Sequence, residues 1–226
     1  MDFLMMMWDG FVQYRSQIGE AIGETFVMVG IALLAALLIG LPLGTALYLT
    51  GKGQLYEHSL RYGLLNGIVN VVRSFPFLLL VVFMIPLTRL IVGTAIGTLA
   101  ASIPLAVVAI AIYARFVEQS LLEVPRGVIE SARSMGASKL QIITKFLYVE
   151  ARPGLVLGLT SSTISFISFS TVMGVVGGGG VGDFAIRYGY QRFETELMAV
   201  VIVLMVILVQ GIQFIGNALS RWLDKR

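Results

Sequence analysis

The chain has 226 residues, of which 57% are hydrophobic and 13% charged, with a formal net charge of +3 and no cysteine. A soluble domain carries about 25% charged residues, so the charges here are too few to coat a globular surface, and lipid is the solvent for most of it. The lack of cysteine excludes a disulfide framework and a thiolate metal site, and no basic cluster interleaved with aromatics points to nucleic acid.

Met1 to Tyr14 is apolar but carries Asp2 and Asp9 and no basic lead. It reads as an interfacial approach to the first span, with Trp8 and Tyr14 at headgroup level, and not as a cleaved signal peptide. A spanning helix needs about 20 mainly apolar residues. Runs free of ionisable residues fall at 25–51, 90–114, 153–182 and 197–220, and the run 62–87 is broken only by Arg73. The expected fold is an all-α membrane protein, one transmembrane domain over 1–226. Its five spans are placed at 20–50, 60–87, 90–116, 150–176 and 197–220, with a cytoplasmic segment at 117–149.

Small residues recur every four positions at Ala32, Ala36, Gly40 and Gly44, at Gly154, Gly158 and Ser162, and at Gly93, Gly97 and Ala101. That spacing lets helix backbones approach closely in lipid, where packing drives association. Orientation follows from the basic residues. Lys52, Arg61, Arg115, Arg126, Arg133, Lys139, Lys145, Arg152, Arg221, Lys225 and Arg226 fall on one side, against Arg15, Arg89, Arg187 and Arg192 on the other. The first set is assigned to the cytoplasm, which puts the C-terminus inside and the N-terminus outside.

The cytoplasmic segment has its own local chemistry. Pro125 suits the first turn of a helix, and Val128, Ile129 and Ala132 form an apolar stripe with Arg126, Glu130 and Arg133 off it. Gly136 suits a left-handed helix end, and Ser138 followed by Gln141 is a capping-box pattern. These residues predict a short amphipathic helix, a sharp bend and a second helix leading into the fourth span. Such an elbow, with small residues at Ser131 and Ala132, is shaped to sit in a groove of another protein; a solvated connection with ordinary caps is the plainer alternative.

Glu130-Ser-Ala-Arg-Ser-Met-Gly136 resembles the Glu-Ala-Ala-x-x-x-Gly loop of bacterial ABC importer permeases, with Ser131 in place of the first Ala. Val149 stands where that pattern has a closing Pro. The segments Arg73-Ser-Phe-Pro-Phe77, Ile85 to Thr94 and Gly177 to Tyr190 are similar to the methionine-uptake branch of that family. The resemblance implies a type I importer fold in the inner (cytoplasmic) membrane. It further implies a homodimer working with two ATP-binding subunits and an extracytoplasmic substrate-binding lipoprotein, with the elbow as the coupling helix. Glu130, Ser131, Ala132, Arg133, Gly136 and Ala137 are its ATPase-coupling residues on this reading, and methionine its cargo. A homodimer is also expected because one five-span chain is too small to enclose a pathway.

No phosphate-binding loop is present, since Thr50-Gly-Lys-Gly53 lacks the spacing and the hydroxyl. ATP and Mg therefore belong to a partner, and this chain is expected to hold no cofactor, no metal and no catalytic residue. A serine hydrolase is disfavoured because His58, the only histidine, lies in the loop between the first two spans, away from the hydroxyl-rich fourth span. Ser161, Ser165 and Ser168 share one face of that span and are candidates for a substrate pathway, with Met173, Phe166 and Phe169 nearby for an apolar side chain. Back-bonding and packing explain the same serines equally well.

Arg73 is the one charge expected inside a span, and no carboxylate is expected there. That argues against a secondary carrier, the alternative class beside a channel or an importer of another amino acid. Five glycines between Gly177 and Gly182 predict non-helical backbone: a flexible outer gate, a surface for a delivery protein, or a plain loop.

Overall fold

The computed structural model describes residues 2–224; Lys225 and Arg226, used above for orientation, lie outside the described residues. The regular structure of the described residues is all helical: α1 (Asp2–Gln13), α2 (Arg15–Ala35), α3 (Leu41–Thr50), α4 (Ser59–Ser74), α5 (Phe77–Val92), α6 (Thr98–Leu122), α7 (Arg126–Ser134), α8 (Lys139–Gln141), α9 (Tyr148–Val175), α10 (Gly180–Phe184) and α11 (Thr195–Leu223). Wider π-helical turns at Ala36–Gly40, Ile142–Leu147 and Ala185–Tyr190 join α2 to α3, α8 to α9 and α10 to the loop before α11.

Four stretches are long and apolar enough to cross a membrane: Arg15–Thr50, Thr98–Leu122, Lys139–Val175 and Thr195–Leu223. Counting α4 and α5 as one broken span makes five. The expected continuous span at 60–87 is corrected, because the helix stops before Pro76, which caps α5 at ψ 126°. Proline lacks the amide proton and pushes the preceding residue out of helical geometry. The third span, expected at 90–116, begins instead at Thr98. Gly93 at φ +83° ends α5, donating to the Arg89 carbonyl at 2.9 Å, and Gly97 lies at φ +99°. Neither glycine would crowd a neighbour if given a Cβ. They serve the turn, and the small-residue stripe expected through Gly93 and Gly97 is corrected. Arg73 is exposed in the last turn of α4.

One compact unit comprises Met1–Leu34, Phe75–Val108 and Thr163–Ile212. Its core gathers Ile18, Ala21, Val181, Phe184, Leu197 and Val201, with Met7 and Phe11 of α1 packed onto it. Trp8 is exposed, as expected of an interfacial residue, but Tyr14 is a packing residue. Its ring meets Phe184 and Tyr188, and its hydroxyl donates to Glu194 Oε1 at 3.3 Å.

Two side chains of α2 bond the glycine-rich segment. Glu24 Oε2 accepts the Gly180 amide at 2.6 Å, and Thr25 Oγ1 accepts the Val181 amide at 2.9 Å. Gly179 at φ +77° leaves room for the Glu24 carboxylate, which a Cβ there would meet at 2.5 Å. A Cβ on Gly182 would collide with the Thr171 backbone. Close approach, rather than flexibility, is the physical reason for these glycines.

The other unit comprises Ala35–Ser74, Ala109–Ser162 and Gln213–Arg226. Here α6 is the helix against which the others close. A Cβ on Gly44 would run into the Ala114 backbone and Val117, one on Gly40 would meet the Ile110 carbonyl at 3.0 Å, and one on Gly158 would meet Phe116 at 2.9 Å. Two expected small-residue stripes thus mark true helix contacts. Ser220 Oγ donates to the Pro153 carbonyl at 3.0 Å, tying the end of α11 to α9.

Arg115 forks across to α4, donating to Asn66 Oδ1 at 2.8 Å and Asn70 Oδ1 at 2.7 Å, and pairs with Glu118 at 2.5 Å. Glu118, in α6, is only 4% exposed. Glu118 and Glu24 correct the expectation that no carboxylate lies within a spanning helix. Each survives there because a charged or amide partner satisfies it.

Candidate functional site

The elbow forms as its local chemistry dictates. Pro125 takes the cap position of α7, one residue earlier than the expected first turn, with ψ 134°. Ile129 and Ala132 turn inward, at 9% and 0% exposure, and Val128 is half-buried. Glu130, Ser131 and Arg133 stand exposed. Ala132 is fully buried, and its methyl packs into this chain and positions the helix.

The bend is a paired-bond helix end. Gly136 at φ +76° donates to the Arg133 carbonyl at 2.9 Å, and Ala137 donates to the Ala132 carbonyl at 3.1 Å. Together these close the two bonds of a Schellman end. Ser138 then caps α8 reciprocally, its amide donating to Gln141 Oε1 at 2.8 Å while its hydroxyl accepts the Gln141 amide at 3.3 Å. Val149, standing for the family Pro, lies inside α9; the chain reaches it through the π-helical turn at Ile142–Leu147 without a break.

Between α7 and the loop after α3 is a cavity of about 210 Å³ bordered by Tyr48, Gln54, Arg126, Ile129, Glu130 and Arg133. Lys139 Nζ sits 4.4 Å above the Tyr56 ring on the same loop. His58 is a local cap, its Nδ1 accepting the Arg61 amide at 3.3 Å.

The hydroxyls of α9 divide by face. Ser162 is fully buried, and Ser170 is 1% exposed. Thr160, Ser162 and Ser168 donate to carbonyls four residues back, and Ser170 and Thr171 to carbonyls three back. Ser161 and Ser168 are exposed and Ser165 is half-buried, so the predicted serine face points outward from the bundle. Met173 does not share it. At 2% exposure it lies with Thr88, Ala101 and Pro104 around a small cavity. Five residues past Ser168 is 500° of helix, which puts it about 140° round the axis. Phe166 is fully buried, and Phe169 packs its ring 4.6 Å from that of Phe77.

Ser168 instead borders a groove of about 450 Å³ between α9, α10 with its π-helical turn, and α11. Thr171, Met198, Met205, Val206 and Gln210 line it as well. Gln210 went unnoticed in the sequence because it carries no charge. Its signal was there, as the first polar side chain of α11 after the apolar stretch 197–209.

The model of the family described as binding-protein-dependent transport system inner membrane component matches residues 36–226. A probable D-methionine transport system permease protein of Vibrio cholerae is 48% identical over 203 residues, 90% of each chain. The D-methionine transport system permease protein of Escherichia coli K12 is 44% identical over 155 residues, 69% of this chain and 71% of that one. A solved chain described as an inward-facing conformation of the MetNI methionine ABC transporter superposes with TM-score 0.91 at 42% identity, covering 94% of this chain and 99% of that one.

Proposed function

The chain belongs to the inner membrane components of binding-protein-dependent transport systems, and we propose that it is the membrane-spanning subunit of an ATP-driven importer of methionine. Two copies enclose the pathway, two ATP-binding subunits carry ATP and Mg, and an extracytoplasmic substrate-binding protein delivers the cargo. The elbow lies on the cytoplasmic side with the C-terminus, and the N-terminus faces outward, in keeping with the distribution of Lys and Arg. The 48% identity to a probable D-methionine permease supports the cargo.

The observation that carries the coupling role is the elbow itself. A nine-residue helix is too short to be stable alone. It is held by Ile129 and Ala132 below and by bonded turns at Gly136 and Ser138, while Glu130, Ser131 and Arg133 are presented outward. A helix anchored on one face and exposed on the other transmits force as a rigid lever. Ala137 and Gly136 fix the angle at which it meets the ATPase.

Cysteine placed at Ser131 in this naturally cysteine-free chain tests the contact. Crosslinking to the ATP-binding subunit that changes between nucleotide-free and ATP-bound states supports it. Crosslinking only from Ser165, on the pathway face, would overturn it.

A further inference from the structure

The groove between α9 and α11 is neutral along its whole lining, yet it holds three polar side chains in an otherwise apolar wall. Their hydrogen-bond states differ in a telling way. Ser168 Oγ donates to the Ile164 carbonyl at 3.2 Å, and Thr171 Oγ1 donates to the Ser168 carbonyl at 2.7 Å. With their protons committed, both hydroxyl oxygens can only accept. The exposed Gln210 side chain makes no hydrogen bond among the described residues, so its carboxamide is free to donate, or to accept, at the groove. On α11, the same helix as Gln210, Met198, Met205 and Val206 also line the groove, and thioethers adapt readily to an apolar guest.

From this juxtaposition we infer that the groove is a transport-pathway site for a zwitterionic α-amino acid with an apolar side chain. Its ammonium donates to Ser168 and Thr171, its carboxylate accepts from the Gln210 amide, and its side chain lies along the two methionines. The inference rests on the importer reading and adds to it the groups that touch the cargo. Acceptor oxygens on α9 and an amide donor on α11 match a zwitterion's polarity. The lack of any charged lining residue disfavours lysine-like or glutamate-like cargo, whose third charge would be left unpaired. A cavity of about 450 Å³ falls within the usual range of small-molecule sites. Gly182 keeps the groove narrow by bringing α10 against Thr171, where a side chain would collide.

The test uses the chain assembled with its ATP-binding and substrate-binding partners in proteoliposomes, during turnover, with diazirine analogues of methionine and leucine. The expected result is labelling within 167–171 and 198–210, suppressed by excess methionine and not by excess lysine. Gln210→Leu is expected to lower both the labelling and the saturating uptake rate at least fivefold at equal membrane level, and Gln210→Asn to recover part of each. Normal methionine uptake with labelling elsewhere, or with Gln210→Leu within twofold of wild type, would overturn the site. So would quantitative disulfide bonding between two copies through Ile202→Cys and Val206→Cys that leaves methionine uptake within twofold of the reduced protein, which would give the groove to a second copy. A diazirine lipid labelling the same residues without competition by methionine would give it to lipid. If the wild-type assembly takes up no methionine, the cargo reading fails separately; labelling by the leucine analogue then decides the groove alone.

Discussion

Replacing Gly136 tests whether the elbow acts through its fixed bend. The residue sits at φ +76° with nothing within 4 Å of a Cβ, so alanine there meets no clash. The whole penalty is backbone, about 1–2 kcal/mol for a non-glycine residue in the left-handed region. That corresponds to a factor of about 5–30 in the closed population of the turn. The amides that report it are those of residue 136, bonded to Arg133 at 2.9 Å, and of Ala137, bonded to Ala132 at 3.1 Å. Hydrogen exchange in detergent or nanodiscs should therefore quicken at these two amides by that factor in Gly136→Ala. Gly136→Val should show more, because a β-branched side chain tolerates this region worst, and Gly136→Asn less. Uptake should fall in the same order while the chain remains inserted. Exchange unchanged in both the Ala and Val variants would refute the reasoning, because the turn would then not depend on its left-handed residue.

Other consequences follow from named contacts. Glu130→Arg, a reversal of charge on the exposed face of α7, should reduce ATP-driven uptake more than tenfold at normal membrane level; uptake within twofold would count against the lever. Gly216→Val should separate α11 from α9, since a Cβ there falls on Thr160. Overpacking of this kind costs about 1–3 kcal/mol, readable as a lowered melting temperature in detergent, and an unchanged one would contradict the contact. Glu24→Leu removes the acceptor of the Gly180 amide. A hydrogen bond to a charged group contributes about 1.5–3 kcal/mol, so proteolysis or exchange at residues 177–182 should accelerate, and Glu24→Gln should show a smaller effect.

What could be read from the sequence was what local chemistry decides. The bend at Gly136 and the Ser138–Gln141 cap need only neighbours within five residues, and both form as expected. The stripes Gly40–Gly44 and Gly154–Gly158 were legible because small residues at helical spacing have one common use in lipid. Gly93, Gly97 and the 177–182 run show the same composition with a different cause. A glycine that turns the chain, one that admits the Glu24 carboxylate and one that rests on Thr171 differ only in partners distant in sequence. Glu24 differs from expectation for the same reason, since the Gly180 amide that satisfies it is distant in the chain. The partner of Glu118 was legible, because Arg115 lies three residues before it on the same helix, and a carboxylate is excluded from a span only when unpaired. Met173, five residues past Ser168, faces another way, since nearness in sequence does not put two residues on one helix face.

The most direct test of the importer account is uptake of labelled methionine by proteoliposomes holding this chain with its ATP-binding and substrate-binding partners. The account predicts accumulation that requires ATP on the side of the elbow and survives collapse of ion gradients. Accumulation that follows a proton or sodium gradient and ignores ATP would contradict it.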